Sequence, residues 1–450
     1  MTDIPMREAT ASALYRAVWR WHFYAGLIVL PFMILIAVTG CLYLFKDEIN
    51  NSFYGDLRTV EPATTAPLRP SRIAESALAV HPGKLKAYLP AAAPEMAAQV
   101  KIAGADGLKN TVYVNPYSGA VLGAAWDAGF AGSPLMWTVR KLHSLELAGW
   151  WGNRIIECVA GWAVLLVATG LYLWWPRGRN VGVLTVKRTS GRPLWRDIHA
   201  VAGIYTAIFI VFLAITGLPW SGYWGKHFYD LSYAAGLGMP DGYWDNYPTS
   251  TVPTGEALDR SPWILEGQPM PVSGAAAGIA AGLDQVVAKV EALGIHPGYA
   301  LDMPGGPEGV FTASVYPDDV TGERVIHLDQ YTGDVLFDMK LADLGLLGAA
   351  AEWGISLHMG QQFGVANQIV LALACLSIVL MAVSAVVMWW KRRPAGSLGA
   401  PTVPDDWRIP RAILVIAILA GMVFPLVGLS LLVVLGIELA FAMTSRLRTA

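Results

Sequence analysis

The chain has 450 residues, 54% of them hydrophobic and 15% charged, with a formal net charge of −2; soluble domains average roughly 25% charged residues. The apolar excess gathers in runs of about 20 residues, the length of a bilayer crossing, so a soluble globular protein is excluded and nothing in the charge suggests a nucleic-acid partner. The three cysteines, Cys41, Cys158 and Cys375, all lie in or beside apolar runs, which leaves the long polar loops no disulfide framework.

Residues 1–45 read as a polar N-terminus and a first transmembrane helix, retained because its apolar run outlasts a signal peptide. Residues 46–139 form a first polar domain, 140–176 a second transmembrane helix and 177–196 a short basic loop. A third helix covers 197–222, a second polar domain 223–345 and a fourth helix 346–391. A linker, 392–408, leads to a last apolar block within 409–450, in which Pro425 is flanked by Gly421 and Gly428. Too long for one span, that block reads as a hairpin of two short helices.

Half of the 32 Lys and Arg residues cluster beside these spans. They are Arg7, Arg16 and Arg20; Arg177, Arg179, Lys187, Arg188, Arg192 and Arg196; Lys391, Arg392, Arg393, Arg408 and Arg411; and Arg446 and Arg448. Cytoplasmic flanks are enriched in such residues. Both termini are therefore expected inside and both polar domains outside. Trp174, Trp175, Trp389, Trp390 and Trp407 fall near the same inner ends, as an interfacial belt would.

The chain repeats. His81-Pro82-Gly83 recurs as His296-Pro297-Gly298, and the Tyr117–Leu122 stretch as 331–336, at offsets of 215 and 214. Each polar domain reads as a helix (71–80; 283–293) followed by short strands, among them 111–114 with 120–122 and 324–328 with 334–337. The second domain adds a Pro- and Tyr-rich insert, 223–271.

Four histidines sit at helix ends in the same duplicated pattern. His22 and His199 are each followed by Thr-Gly at 17 and 18 residues, and His143 and His358 by Trp-Trp at 31 and 32. With helices alternating in direction, His22 and His199 fall at the inner face and His143 and His358 at the outer face. Neutral imidazole is an axial ligand of haem iron, and one haem takes two from facing helices. The pattern fits two b-type haems, one per face; with no CxxCH in the chain, a covalent c-type haem is excluded. Arg20, Arg196, Arg140 and Lys141, two or three residues before the candidates, suit haem propionates or, equally, a positive-inside flank. Thr39-Gly40, Thr169-Gly170 and Thr216-Gly217 permit close helix approach or a flat ring against backbone. Taken singly, each histidine reads as an interfacial residue; His81 and His296 read as surface turn residues, and His227 and His327 as second-loop residues that could contact a ligand but that nothing singles out. A straight helix from His143 to Trp174 would run about 46 Å against a hydrocarbon core of ~30 Å. Either the outer histidines stand above the membrane or the helix breaks, near Gly149–Gly152 and, in the second copy, near Gly360 and Gly364. Trp162 or Tyr172 could relay electrons between the faces.

These helices, with Trp21-His22, Ile198-His199, Leu142-His143 and Leu357-His358 and two Tyr-x-Gly-x-Val outer domains, together resemble the PepSY-associated transmembrane family over roughly residues 15–395. The resemblance implies an all-α membrane bundle of four core helices from an internal duplication, bearing two small α+β periplasmic PepSY-like domains; the C-terminal hairpin is an addition to that pattern with no role assigned. It implies a bacterial inner-membrane protein whose His22, His143, His199 and His358 ligate two haems. Electrons from a cytoplasmic or quinol donor would reduce a periplasmic ferric-siderophore and release Fe(II). Trp126, Trp137, Trp150, Trp151, Trp224, Trp244 and Trp353 would offer stacking area for the chelate. No catalytic residue is assigned beyond the haem ligands. The alternatives are a non-catalytic membrane-anchored binding or sensory protein and, disfavoured by spans nearly free of charge apart from Arg154 and Glu157, a permease.

Overall fold

A computed structural model describes residues 4–175, 184–239, 249–274, 281–393, 411–434 and 436, with side chains from residue 14 and excluding those of 411–414, 416 and 417. Arg177, Arg179, Trp244, Trp407, Arg408, Arg446 and Arg448, the side chains of Arg7 and Arg411, and the far end of the C-terminal block lie outside the described residues.

In chain order, α1 (Ile4–Leu44) leads into α2 (Lys46–Arg58) and α3 (Pro70–Val80). Four strands follow: β1 (Lys84–Leu89), β2 (Ala98–Ala103), β3 (Lys109–Val114) and β4 (Val121–Trp126). Next come α4 (Pro134–His143), α5 (Gly149–Trp174), α6 (Gly191–Gly217) and α7 (Trp224–Ala234). The insert holds β5 (Thr249–Pro253), α8 (Thr254–Ala257) and β6 (Pro269–Pro271). The second copy continues with α9 (Leu283–Ala292), β7 (Ala300–Asp302), β8 (Val310–Val315), β9 (Arg324–Asp329) and β10 (Val335–Lys340). It ends with α10 (Leu346–His358), α11 (Val365–Arg392) and α12 (Arg411–Val423).

Two compact units emerge. The helical unit takes residues 1–41, 141–227 and 369–450, and the sheet unit 42–140 and 228–368. Four helical stretches are long and apolar enough to cross a bilayer: Leu14–Leu44, Glu146–Trp174, Gly191–Trp220 and Val365–Arg392. Their shared core is made of small and branched side chains, Ala37, Ala163, Ile210, Cys375 and Ile378, one or two from each helix. Small residues let helix backbones approach where lipid offers no hydrophobic drive between them. The C-terminal block turns at Phe424-Pro425 so tightly that a Cβ on Gly421 would stand 3.1 Å from the Gly428 Cα. It packs on α5: Gly161 faces Phe424 and Val427, and Trp162 Nε1 donates to Ser430 Oγ at 3.0 Å.

The second and fourth spans are not straight. After His143 the chain passes through Leu145 (φ 53°) and Gly149 (φ 68°) before α5 begins. After His358, Gly360 (φ 76°) and Gly364 (φ 53°) precede α11. Left-handed backbone ends an α-helix and favours glycine, so each histidine closes its own short helix, separate from the span that follows.

The expectation of two small separate domains needs correction. The sheet unit holds one eight-stranded antiparallel sheet, in the order β10-β9-β8-β7-β1-β2-β3-β4, so the chain mixes helical spans with a β-sheet domain. The copies join through their equivalent strands, Tyr88 opposite Leu301 and Ala87 opposite Asp302. The helices α3 and α9 share one core with the sheet, in which Ile73, Ala77, Val286 and Val290 meet Val100, Val112, Leu301 and Ile326. Each larger aliphatic side chain buried there contributes roughly 1.5–3 kcal/mol. Asp284 accepts from both the backbone N and Oγ of Ser71, at 2.8 Å each, tying the two helix starts together. In the insert, Trp263, Ile264 and Leu265 form a second core with Phe337, Met339 and Ala351.

Candidate functional site

Within the helical unit, His22 on α1 and His199 on α6 face each other, their ring centroids 6.5 Å apart and their planes at 88°. A metal–imidazole bond of about 2 Å, plus the ~1.1 Å from ring nitrogen to ring centre, places two trans ligands of one metal with centroids roughly 6 Å apart. The observed separation matches that spacing and also falls within the range of an edge-to-face ring pair, so the hydrogen bonds of the two rings, not the distance alone, mark them as a ligand pair.

Hydrogen bonds fix which nitrogen of each ring is bare. His199 Nδ1 lies 3.1 Å from the Met381 carbonyl oxygen and 3.1 Å from Ser384 Oγ. A carbonyl only accepts, so Nδ1 carries the proton and Nε2 the lone pair. His22 Nδ1 lies 2.9 Å from Thr169 Oγ1, whose own proton goes to the Leu165 carbonyl at 2.8 Å. The hydroxyl therefore accepts from His22 Nδ1–H, and Nε2 is again the free lone pair. Holding Nδ1–H through a backbone or hydroxyl acceptor is how metal-binding histidines are oriented. At Gly170 a Cβ would stand 3.3 Å from His22 Cε1, so the glycine makes room for the imidazole rather than for a neighbouring helix.

Both rings line a cavity of about 790 Å³ among α1, α5, α6 and α11. Its walls are apolar, with Phe23, Leu30, Val167 and Ile378 among them. Tyr172 lines it too, whereas Trp162, the other relay candidate, is bonded to Ser430 of the C-terminal block. At one end stand Trp19, Trp174, Trp175 and Trp389 with Arg16, Arg192, Arg196 and Arg392. Four arginines face a single aspartate, Asp197, which Arg196 meets at 3.0 Å. The remaining excess of positive charge beside an apolar slot suits a flat apolar ring carrying acidic side groups. The residues present thus fit a haem: two imidazoles at ligand spacing, bare nitrogens and cationic partners for its propionates.

The flanking cations expected from sequence divide. Arg196 lines the cavity; Arg20 does not, being buried beside Tyr24 with its guanidinium 5.9 Å from the ring centre. Lys141 forms an ion pair with Glu146. Arg140 belongs to the sheet unit, where its charge acts on Tyr43. Arg16, Arg192 and Arg392 were not singled out by sequence, although all three stood in the basic flanks.

His143 repeats the His22 arrangement. Its Nδ1 is 3.1 Å from Thr39 Oγ1, which donates to the Leu35 carbonyl at 2.6 Å, and a Cβ at Gly40 would stand 3.1 Å from His143 Cε1. The fourth histidine, His358, ends α10 in the sheet unit, where Asn367 Nδ2 donates to the neighbouring Leu357 carbonyl at 3.1 Å. The structure thus brings His22 and His199 together within one unit, while His143 and His358 belong to different units. Ser384 was missed from sequence. It lies 215 residues after Thr169, the offset that relates His143 to His358, and so takes Thr169's place in the second copy.

His227 and His327 have local hydrogen-bond partners. His227 Nδ1 donates to the Tyr223 carbonyl at 2.8 Å. His327 is enclosed by the sheet, bonded to Thr312 Oγ1 at 2.8 Å, and burial pushes its pKa down to about 3. Of the aromatics expected to receive a chelate, Trp150 and Trp151 are exposed, while Trp224 donates to the Val423 carbonyl at 2.9 Å.

The family model described as the PepSY-associated TM region matches residues 19–392. No curated protein matches the chain.

Proposed function

We propose, on the premise that this chain belongs to the PepSY-associated transmembrane family, that it is a di-haem b oxidoreductase. It sits in the bacterial inner membrane and passes electrons to a ferric chelate of the siderophore type, releasing Fe(II). One observation carries the reading: the His22 and His199 rings face each other 6.5 Å apart with both Nδ1–H groups already engaged.

Bound haem supplies one-electron chemistry at its iron. The chain's own residues do the rest. Thr169 and the Met381 carbonyl hold the imidazoles in the tautomer that presents Nε2. The aliphatic wall excludes water, which keeps the electrostatic environment of the site fixed. Arg16, Arg192, Arg196 and Arg392 would meet the propionates. For the second haem, His143 and His358 are the expected ligands; the support is the repeat itself and the match between the His143 and His22 surroundings. Oxygen donors that hold Fe(III) tightly hold Fe(II) less well, so a single electron frees the metal without destroying the chelator. The donor is a cytoplasmic reductant or a quinol.

Purified protein should be red, with a Soret band that sharpens on dithionite. His199→Ala should lose about half of the haem measured as pyridine haemochrome, and His143→Ala the other half. Reduced, haem-loaded protein should release ferrozine-detectable Fe(II) from ferric siderophores. A colourless preparation of folded protein would overturn the reading and leave a non-catalytic binding or sensory role.

A further inference from the structure

The insert carries Arg260 into the interior of the sheet unit. The residue as a whole is partly accessible, but its Nη1 is out of reach of solvent. The guanidinium lies 3.9 Å from the Phe130 ring centre and 3.9 Å from that of Tyr316. Two buried carboxyls act on its charge: Glu323, 4% exposed, and Glu352, 3% exposed. Glu352 Oε1 accepts from the Trp263 backbone at 2.6 Å. Among the described residues, Arg260 Nη1, Ser261 Oγ, Glu323 Oε1 and Tyr43 OH are all buried with no hydrogen-bond partner.

An isolated buried charge is too costly to persist, and a buried polar atom left unbonded costs about 1–3 kcal/mol. Four such atoms, one on the cation, one on a carboxyl and two on the hydroxyls of Ser261 and Tyr43, point to a polar interior bridged by water, which needs two to four polar partners. One cation also balances only one carboxylate. Two neighbouring carboxyls in a low dielectric keep one proton between them.

We propose that Arg260, Glu323 and Glu352 form a buried proton-binding site, in which one proton is shared by the two carboxyls and bound water joins them to Ser261 and Tyr43. Burial pushes both carboxyls up and the Glu352 charge raises Glu323 further; Arg260 pulls both back, as the Trp263 N–H does Glu352. Every neighbouring element contributes a group: Tyr43 from the end of α1, with Asp47 and Arg140 acting on it; Tyr316 after β8; Asp302 from β7; and Glu266 from the insert, facing Glu352. Glu352 lies on α10, whose last residue is His358. An electron arriving at a haem held by His358 would add negative charge at that end, and a proton taken from water by the carboxyl pair would offset it. This coupling rests on the haem reading; the proton site does not.

Infrared spectra of the full chain in lipid nanodiscs test the site. A carboxylic C=O band that shifts in D₂O should persist at pH 7 and shrink in both Glu323→Gln and Glu352→Gln. In Glu352→Gln the new side-chain amide oxygen can still accept from Trp263, so that variant keeps its structural bond, and thermal midpoints verify folding of each. Folded variants whose C=O region equals that of the wild type would overturn the proposal. In haem-loaded protein, one haem potential should fall as pH rises through neutrality, and this dependence should flatten in Glu352→Gln; a pH-independent wild type would refute the coupling. A colourless protein would count against the haem reading alone, with the infrared result still deciding the proton site.

Discussion

The two copies of the repeat end in different surroundings. In the first, β2 buries every second residue and leaves the others half-buried. In the second, every residue of β8 and β9 is buried. Strand order and helix position are the same in both, so the difference comes from what covers the second half. Leu258 and Met270 of the insert pack on Val310, and Trp263, Ile264 and Leu265 on Phe337 and Met339. Among the membrane-spanning helices the copies stay alike, with His22 on Thr169 and His199 on Ser384. Duplication preserved the means of holding a histidine; the insertion, found in the second copy alone, brought Arg260 into a polar interior to which the first copy lends Tyr43 and Phe130.

Arg260 is where the contrast should break most sharply. Arg260→Ala removes the cation facing Glu323 and Glu352 and is expected to destabilise the sheet unit by about 3–5 kcal/mol, as losing one partner of a buried charge set does. Lys101 offers the comparison from the first copy. It meets the insert's Asp259 at 2.7 Å and the first copy's Asp127 at 3.4 Å where solvent still reaches it, so Lys101→Ala should cost less, about 1–3 kcal/mol. Equal losses in denaturant titrations would show that Arg260 is no more deeply committed than Lys101.

A smaller effect probes the likeness of the histidine sites. Thr169→Val leaves His22 Nδ1–H without its acceptor and should weaken haem binding about 10–100-fold. Ser384→Ala should matter less, because the Met381 carbonyl still accepts from His199. Transfer of haem to apomyoglobin would measure both; equal rates of loss would mean that the hydroxyls, not the carbonyl, orient the rings.

The smallest expected change is with pH. In the folded chain Glu323 and Glu352 hold protons above the ordinary carboxylate range, ~4.3. Between that value and their raised ones the folded state binds more protons than the unfolded, so stability falls as pH rises. His327, lowered to about 3, acts oppositely: below about 6.5 the unfolded chain takes up the proton, and stability rises with pH. Burial also pushes Glu266 and Asp302 up to about 7, so four carboxyls of the sheet unit stand against one imidazole and the thermal midpoint should be a few degrees higher at pH 5 than at pH 7. The double variant Glu323→Gln/Glu352→Gln should narrow that difference without reversing it.

Much of this was legible in the sequence. Helices at 71–80 and 283–293 and strands at 111–114 and 324–328 could be read because alternation and turn residues are local signals, and they appear as α3, α9, β3 and β9. The pairing of β1 with β7 could not be read, since nothing local distinguishes an edge left open from one paired about 200 residues away. His22 and His199 declared themselves because imidazole at the end of an apolar helix is rare. Ser384 did not, because a lone serine in an apolar run has no pattern of its own. Arg260, Glu323 and Glu352 come from three separate segments, and each alone looks like an ordinary loop or helix charge.

The β1–β7 seam has a further consequence. A chain carrying one copy would present β1 as an unpaired edge, the kind of surface that recruits another strand. A second identical chain, related by a twofold axis, would close it with the same strand register; the hydrogen bonds from Ser71 to Asp284 depend on the two copies differing at that position. The present molecule is therefore a covalently fused homodimer in form. Once fused, its halves were free to diverge, and only the second carries the insert that bears Arg260.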